Sequence, residues 1–332
     1  MYNGRDSNSP GRVNFVANLS TEVIVGLGSI IKVARPVHWI KNLSLFAALI
    51  FTGNLFNQIL LDKVILAFIA FNLATSATYI FNDVLDAKYD RLHPIKKFRP
   101  VASGKLPVPA ALFISLVLGL GAIYLAKALN PLFFLMVLVY LGMQALYSLG
   151  LKKVAIIDIL IIAAGFIIRV YAGAFVIDAH LSVWFLLCVI SASLFLAAGK
   201  RRAELNLLPE GGVTRESLTH YRRELLNSYV TMFGNAAWMG WALFTFFESP
   251  QAASPVWLFL AELSRATTIN KLLMLTIPFT IFGIMRYQSL IFEGKAESPE
   301  KLLLTDSSLM ASVVFWIGLV IWILYGGLAT FP

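Results

Sequence analysis

Residues 79–105 read YIFNDVLDAKYDRLHPIKKFRPVASGK and join the end of one long apolar segment to the start of the next. Within them Asn82, Asp83, Asp86 and Asp90 form N-D-x-x-D-x-x-x-D. At helical pitch the offsets 0, 3 and 7 from Asp83 put three carboxylates on one face. Carboxylates packed side by side do not all stay ionised without a counter-charge. Mg²⁺ prefers one or two carboxylates together with phosphate oxygens and water. The face therefore points to both a divalent cation and a phosphorylated ligand. Lys88, Arg91, Lys96, Lys97, Arg99 and Lys105 lie in the same stretch and would attract phosphate. A solvated loop of mixed charge is the ordinary reading of such a run. The carboxylate spacing and the adjoining apolar helix weigh against it here.

Outward from this stretch the chain reads as an all-α polytopic membrane bundle. Its 332 residues are 58% hydrophobic and only 14% charged, too apolar for a soluble domain. Residues 1–35 read as a polar tail and an interfacial helix, and 36–332 as a single transmembrane domain. Apolar runs near the ~20 residues that a bilayer core demands predict nine spans, at about 38–57, 64–84, 108–128, 131–150, 155–177, 181–199, 226–247, 270–291 and 309–328. Of the 27 Lys and Arg residues, 22 fall on the side that carries the 85–107 and 200–225 loops. That asymmetry puts the N-terminus and the carboxylate stretch on the cytoplasmic side of a cell inner (plasma) membrane. The net charge of +9 is better explained by a bilayer with anionic lipids than by nucleic acid. A homo-oligomer is compatible with all of this. The single cysteine, Cys188, precludes an intrachain disulfide.

Other charges cluster near the same side. GKRRAEL follows the sixth span, with Lys200 and Arg201 suited to phosphate and Glu204 to a cation or a metal shell. Anchoring in headgroups is the plainer role for such a cluster, but a carboxylate face opposite favours ligand binding. RPVHWIKN places Lys41 slightly inside the first span, where it needs an anionic partner. Trp39 is an interface anchor and His38 a structural residue. Tyr147 and Lys152, in YSLGLKK, line the same mouth. Arg169, inside a span, lies three turns from Asp158 on one helix face and reads as structural. Phosphate loops of the G-x-x-x-x-G-K-[ST] type, H-E-x-x-H and cysteine pairs are all missing, which leaves ATP hydrolysis, zinc chemistry and haem attachment without support.

RPVHWIKN, NDVLDAKYDRLHPIKKFRPVASGK, YSLGLKKVAIIDILIIAAGFIIRVYAG, AAGKRRAEL and MRYQSLIFEGKAESPEKLLLTD together resemble the UbiA-type prenyltransferase superfamily, in its decaprenyl-phosphate phosphoribosyltransferase branch. The resemblance spans about residues 32 to 325. It implies a nine-helix fold in which Asn82, Asp83, Asp86 and Asp90 hold Mg²⁺ and diphosphate, with Lys41, Lys96, Arg99, Lys200 and Arg201 as phosphate contacts. The implied substrates are phosphoribosyl diphosphate and a polyprenyl phosphate. Where the superfamily carries a second D-x-x-x-D motif, this chain has KRRAE, with Glu204 as its one carboxylate. That departure argues against ordinary aromatic prenylation, which is the alternative activity, and agrees with a donor bearing an extra 5-phosphate. A transporter with cation-binding carboxylates is disfavoured because the charges gather at one surface and not at mid-membrane.

Overall fold

The computed structural model describes residues 28–29, 31–93, 95–206, 221–248, 269–294 and 299–326. Of residues 1–35, read as a polar tail and an interfacial helix, 1–27 and 30 lie outside them. A ten-residue 3-10 stretch, Pro36–Leu45, runs into α1 (Phe46–Phe51). Then come α2 (Gln58–Asp90), α3 (Val108–Leu129), α4 (Pro131–Leu149), α5 (Ile157–Val176), α6 (Val183–Asn206) and α7 (Arg223–Phe247). A 3-10 turn, Ile269–Thr276, leads into α8 (Ile277–Phe292), which is followed by the short α9 (Pro299–Thr305) and by α10 (Ser307–Tyr325). The described residues contain no strand, as a chain that must satisfy its backbone inside a bilayer requires.

Among the described residues seven helices are long and apolar enough to cross a membrane, which makes this a multi-pass membrane protein. The expected count of nine is not reproduced in that form. Helix α7 has 25 residues, but Asn227, Ser228, Thr231 and Asn235 dilute its apolar character. The predicted 38–57 span is not one α-helix. Its 3-10 part rises about 20 Å at ~2.0 Å per residue, and α1 adds about 9 Å. A short segment thus reaches across most of a ~30 Å core.

The 3-10 pitch sorts that segment into three rows, because residues three apart eclipse. Trp39, Asn42 and Leu45 face the bundle: Trp39 Nε1 donates to Ser76 Oγ at 3.1 Å, Asn42 Nδ2 donates to Asn72 Oδ1 at 2.6 Å, and Leu45 is fully buried. Val37 and Leu43, in the next row, are exposed. Arg35, His38 and Lys41 form the third row. The segment packs so closely on α5 that a Cβ on Gly173 would lie 2.0 Å from Leu45 O. Only glycine permits that approach.

Helices α2 and α5 are the most buried of the spans and α3 the least. At about 1.5 Å per residue, the 33 residues of α2 rise about 50 Å, well beyond a ~30 Å core. Its last turns, which carry the three aspartates, therefore emerge from the apolar slab while remaining helical. The antiparallel succession of helices brings the end of α2, the Leu151–Lys153 turn, the end of α6 and α9 to the same end of the bundle. The opposite end is tied where Tyr325 donates to Ile50 O at 2.6 Å.

Candidate active site

The three aspartates share one end of α2, with Asp83 and Asp90 buried and Asp86 half-buried. Each meets cations from other elements. Arg35 Nη2 lies 2.5 Å from Asp83 Oδ1. Arg99 Nη1 contacts Asp83 at 3.1 Å and Asp90 at 2.6 Å. Lys152 Nζ is 2.5 Å from Asp86 Oδ1 and donates to Asn82 Oδ1 at 3.1 Å, while Asn82 Nδ2 donates to Asp86 Oδ2 at 2.9 Å.

The loop after α2 delivers Arg99 because its backbone folds back on the helix. Arg91 Nε donates to Ala102 O at 3.1 Å, and His93 Nδ1 accepts from the amides of Ile95 and Lys96. Lys96 is exposed on this turn, near enough for its charge to act on Asp90. Val101 and Leu106 bury beside Ile80 and Ala87 and anchor the loop.

These oxygens are hard donors, and a single cationic nitrogen already bridges Asp83 and Asp90. Among the described residues no three His, Cys, Asp or Glu side chains converge into a self-sufficient metal cage. Mg²⁺ needs no such cage, since it takes one or two carboxylates and completes its shell with phosphate and water, and Asp83 and Asp90, close enough to share Arg99 Nη1, could supply those carboxylates. The donor set fits the ion.

A second constellation lies along the basic row. The row runs from Arg35, at Asp83, past Tyr79, whose ring lies 5.1 Å from the Arg35 guanidinium and 4.9 Å from the His38 ring. It ends at Glu300 of α9, whose Oε1 is 2.6 Å from His38 Nδ1 and 3.0 Å from Lys41 Nζ. Lys200, at the end of α6, is close enough for its charge to act on Lys41 and Glu300. Burial raises the Glu300 pKa, but contact with His38 and the charges of Lys41 and Lys200 outweigh this and hold it well below the carboxylate range. Helix α9 is held in place by its neighbours: Arg286 Nη2 lies 2.6 Å from Asp306 Oδ2, and Asp306 caps α10 by accepting from Leu309 N.

Arg201, expected at a phosphate, is placed otherwise. It is fully buried, with Nε 2.6 Å from Asp158 Oδ2 in an ion pair bent away from hydrogen-bond geometry. It also binds Glu204 and donates to Tyr147 Oη at 2.9 Å. Glu204 and Tyr147 are thereby engaged with Arg201. Asp158 also accepts from Tyr221 at 2.7 Å. Arg169 does not partner Asp158; it donates to Asn42 Oδ1 at 2.5 Å, Gly165 O at 2.5 Å and Tyr140 Oη at 3.0 Å. Arg35 and Glu300 were not singled out from sequence, and Lys152 was placed only at the mouth. The triplet Arg35, His38, Lys41 is a three-residue repeat that a 3-10 pitch would have exposed.

Residues 42–201 match the model of the UbiA prenyltransferase family. The decaprenyl-phosphate phosphoribosyltransferase of Mycobacterium tuberculosis is 35% identical over 299 residues, covering 89% of this chain and 93% of that protein. The chain belongs to the UbiA prenyltransferase family and is a membrane transferase. The decaprenyl-phosphate phosphoribosyltransferase of Mycolicibacterium smegmatis is 36% identical, covering 88% and 91% of the two chains. Among solved structures, a UbiA homolog from Archaeoglobus fulgidus bound to GPP and Mg²⁺ superposes with a TM-score of 0.63, over 89% of this chain and 99% of that one. At 15% identity that likeness is one of fold.

Proposed function

We propose that the protein transfers 5-phosphoribose from phosphoribosyl diphosphate to a polyprenyl phosphate and releases diphosphate. The observation that carries this reading is the pairing of Asp83, Asp86 and Asp90 with cations from separate elements, beside a basic row that continues to Lys41, with Lys200 near its end. Such a site can hold two anionic substrates together. The names of the relatives, which span most of the chain, support the same choice of substrates. The excess of Lys and Arg at this end supports a cytoplasmic site in the inner membrane.

Asp83, Asp86 and Asp90 would hold Mg²⁺, which when bound neutralises charge on a departing diphosphate. Arg35, Arg99 and Lys152, already beside these carboxylates, would donate to diphosphate oxygens. As the bond from the anomeric carbon to diphosphate breaks, ribose takes on oxocarbenium character, as in glycosyl transfer generally. An oxygen of the lipid phosphate forms the new bond. It is anionic at pH 7 and needs no general base. Lys41 and Lys200 offset the repulsion between the two anions, so positioning supplies much of the rate. The polyprenyl chain lies along lipid-facing helices.

Purified protein incubated with labelled phosphoribosyl diphosphate, Mg²⁺ and a polyprenyl monophosphate should move label into the organic phase. EDTA and Asp83→Asn should each abolish that transfer. Label that stays aqueous, while a prenyl diphosphate condenses with an aromatic acceptor, would replace this reading with prenyl transfer.

A further inference from the structure

The 3-10 stretch Pro36–Leu45 is ten residues long. Runs beyond about four residues are uncommon, because the hydrogen-bond geometry is poorer than in an α-helix. Its pitch therefore has to be imposed from outside, and two helices hold its buried row. On α2, Ser76 meets Trp39 and Asn72 meets Asn42. On α5, Arg169 meets Asn42 and Gly173 meets the Leu45 backbone. In each case residues three apart on the stretch face residues four apart on the helix. Three steps of a 3-10 helix and four steps of an α-helix both rise about 6 Å. At α pitch three steps would rise only about 4.5 Å and the row would turn by about 60°. The stretch is in register with both helices only while it stays 3-10.

Asn42 is the residue held from both sides, and it is fully buried. Its Nδ2 donates to Asn72 Oδ1 at 2.6 Å and to Thr75 Oγ1 at 3.3 Å, and its Oδ1 accepts from Arg169 Nε at 2.5 Å. The other nitrogens of the Arg169 fork donate to Gly165 O and Tyr140 Oη. Gly165 leaves room for the guanidinium, since a Cβ there would lie 3.3 Å from Arg169 Nη1. All three bonds go to neutral oxygens. A plain link between helices would cost less with a neutral side chain, because a buried cation carries a large desolvation penalty. What the guanidinium adds is a charge-assisted bond to Asn42 and a fixed orientation.

We propose that Arg169 is a positioning residue: through the Asn42 carboxamide it fixes the 3-10 pitch of Pro36–Leu45 and so keeps Lys41 turned toward Glu300. At α pitch the six steps from Arg35 to Lys41 would swing Lys41 by about 120° relative to Arg35. The aspartates lie further along α2 and do not move with the stretch. The register stands on these contacts alone; its consequence for transfer rests on the phosphoribosyl reading.

The test is acylation of lysines by an N-hydroxysuccinimide ester in the full chain in nanodiscs, read peptide by peptide by mass spectrometry. Lys41, whose side chain is 13% exposed and paired with Glu300, should react slowly in the wild type. Arg169→Met should speed its acylation about tenfold, the scale of one hydrogen bond to a charged group. Lys152, paired with Asp86, should keep its protection. Arg169→Lys should not restore the protection of Lys41, because an ammonium lacks the fork. Asn42→Leu should expose Lys41 as much as Arg169→Met does, and the double variant should add nothing, since one residue acts through the other. Lys41 still protected in Arg169→Met, full protection in Arg169→Lys, effects that multiply in the double variant, or exposure of Lys152 alongside Lys41 would each overturn the proposal. If Arg169→Met does not fold, Arg169→Gln, which buries no charge, takes its place with the same signs at smaller size. The expected labelling in a protein that transfers no phosphoribose would uphold the register and refute the phosphoribosyl reading. Transfer of phosphoribose with Lys41 labelling unchanged by Arg169→Met would do the reverse.

Discussion

Two carboxylate–guanidinium contacts in this protein use the same chemistry at very different depths. Asp158 and Arg201 are both fully buried and close only on side chains of the chain itself, Tyr221, Glu204 and Tyr147. At the acidic face the aspartates meet Arg35 and Arg99, whose side chains are 18% and 25% exposed. A buried pair that loses one member strands a charge, which is why such pairs hold structure. At the acidic face Asp83 and Asp90 are themselves buried, but their cations reach solvent and can be exchanged for another cation without leaving the carboxylates uncompensated. The depth of the contact thus separates a structural ion pair from a site built to swap counter-ions.

The strongest way to break this comparison is Asp83→Asn. Transfer should fall about 10³-fold or more, the scale of losing a key electrostatic group, while yield and thermal stability stay near those of the wild type. Radiolabel extraction beside a melting curve measures both. Arg201→Met should do the reverse, destabilising the fold by roughly 3–5 kcal/mol. The double variant Arg201→Met with Asp158→Leu should recover most of that stability, since the fully buried Asp158 charge is gone and Glu204, which also loses Arg201, is 23% exposed. A single Arg201→Met as stable as the wild type would remove the distinction drawn here.

A smaller effect is expected at Lys152. Lys152→Met removes one charge-assisted contact near Asp86 and should weaken the donor roughly tenfold, read as a rise in KM. The smallest effect is a pH dependence from Glu300. Its pKa is depressed below the ordinary 4.5, so the stability it contributes is fully present above that value and is lost as pH falls through the lower folded value. Melting temperatures across the acid range should drop more steeply for the wild type than for Glu300→Gln.

Much of the acidic face was legible in sequence because its residues are local. The offsets of Asp83, Asp86 and Asp90 are a helical repeat, and α2 continues far enough to make them one. Arg99 could be named because it lies a short loop away. The pairing of Arg201 was not legible: a cation at a helix exit reads the same whether it faces a ligand or a partner on another helix, and Asp158 is distant in the chain. Glu300 was hidden for the same reason. The first element misled for a different reason, since an apolar run of that length reads as a span at any pitch. Only the 3-10 geometry aligns Arg35, His38 and Lys41.

The most direct test of the central claim is the binding of diphosphate to the purified protein with and without Mg²⁺, in the wild type, Asp83→Asn and Arg169→Met. The wild type should bind diphosphate far more tightly with Mg²⁺. Asp83→Asn should lose that increment while remaining folded, and Arg169→Met, altered in the buried polar network away from the aspartates, should keep it. An undiminished Mg²⁺-dependent increment in folded Asp83→Asn would contradict the assignment of the acidic face to the metal and the diphosphate.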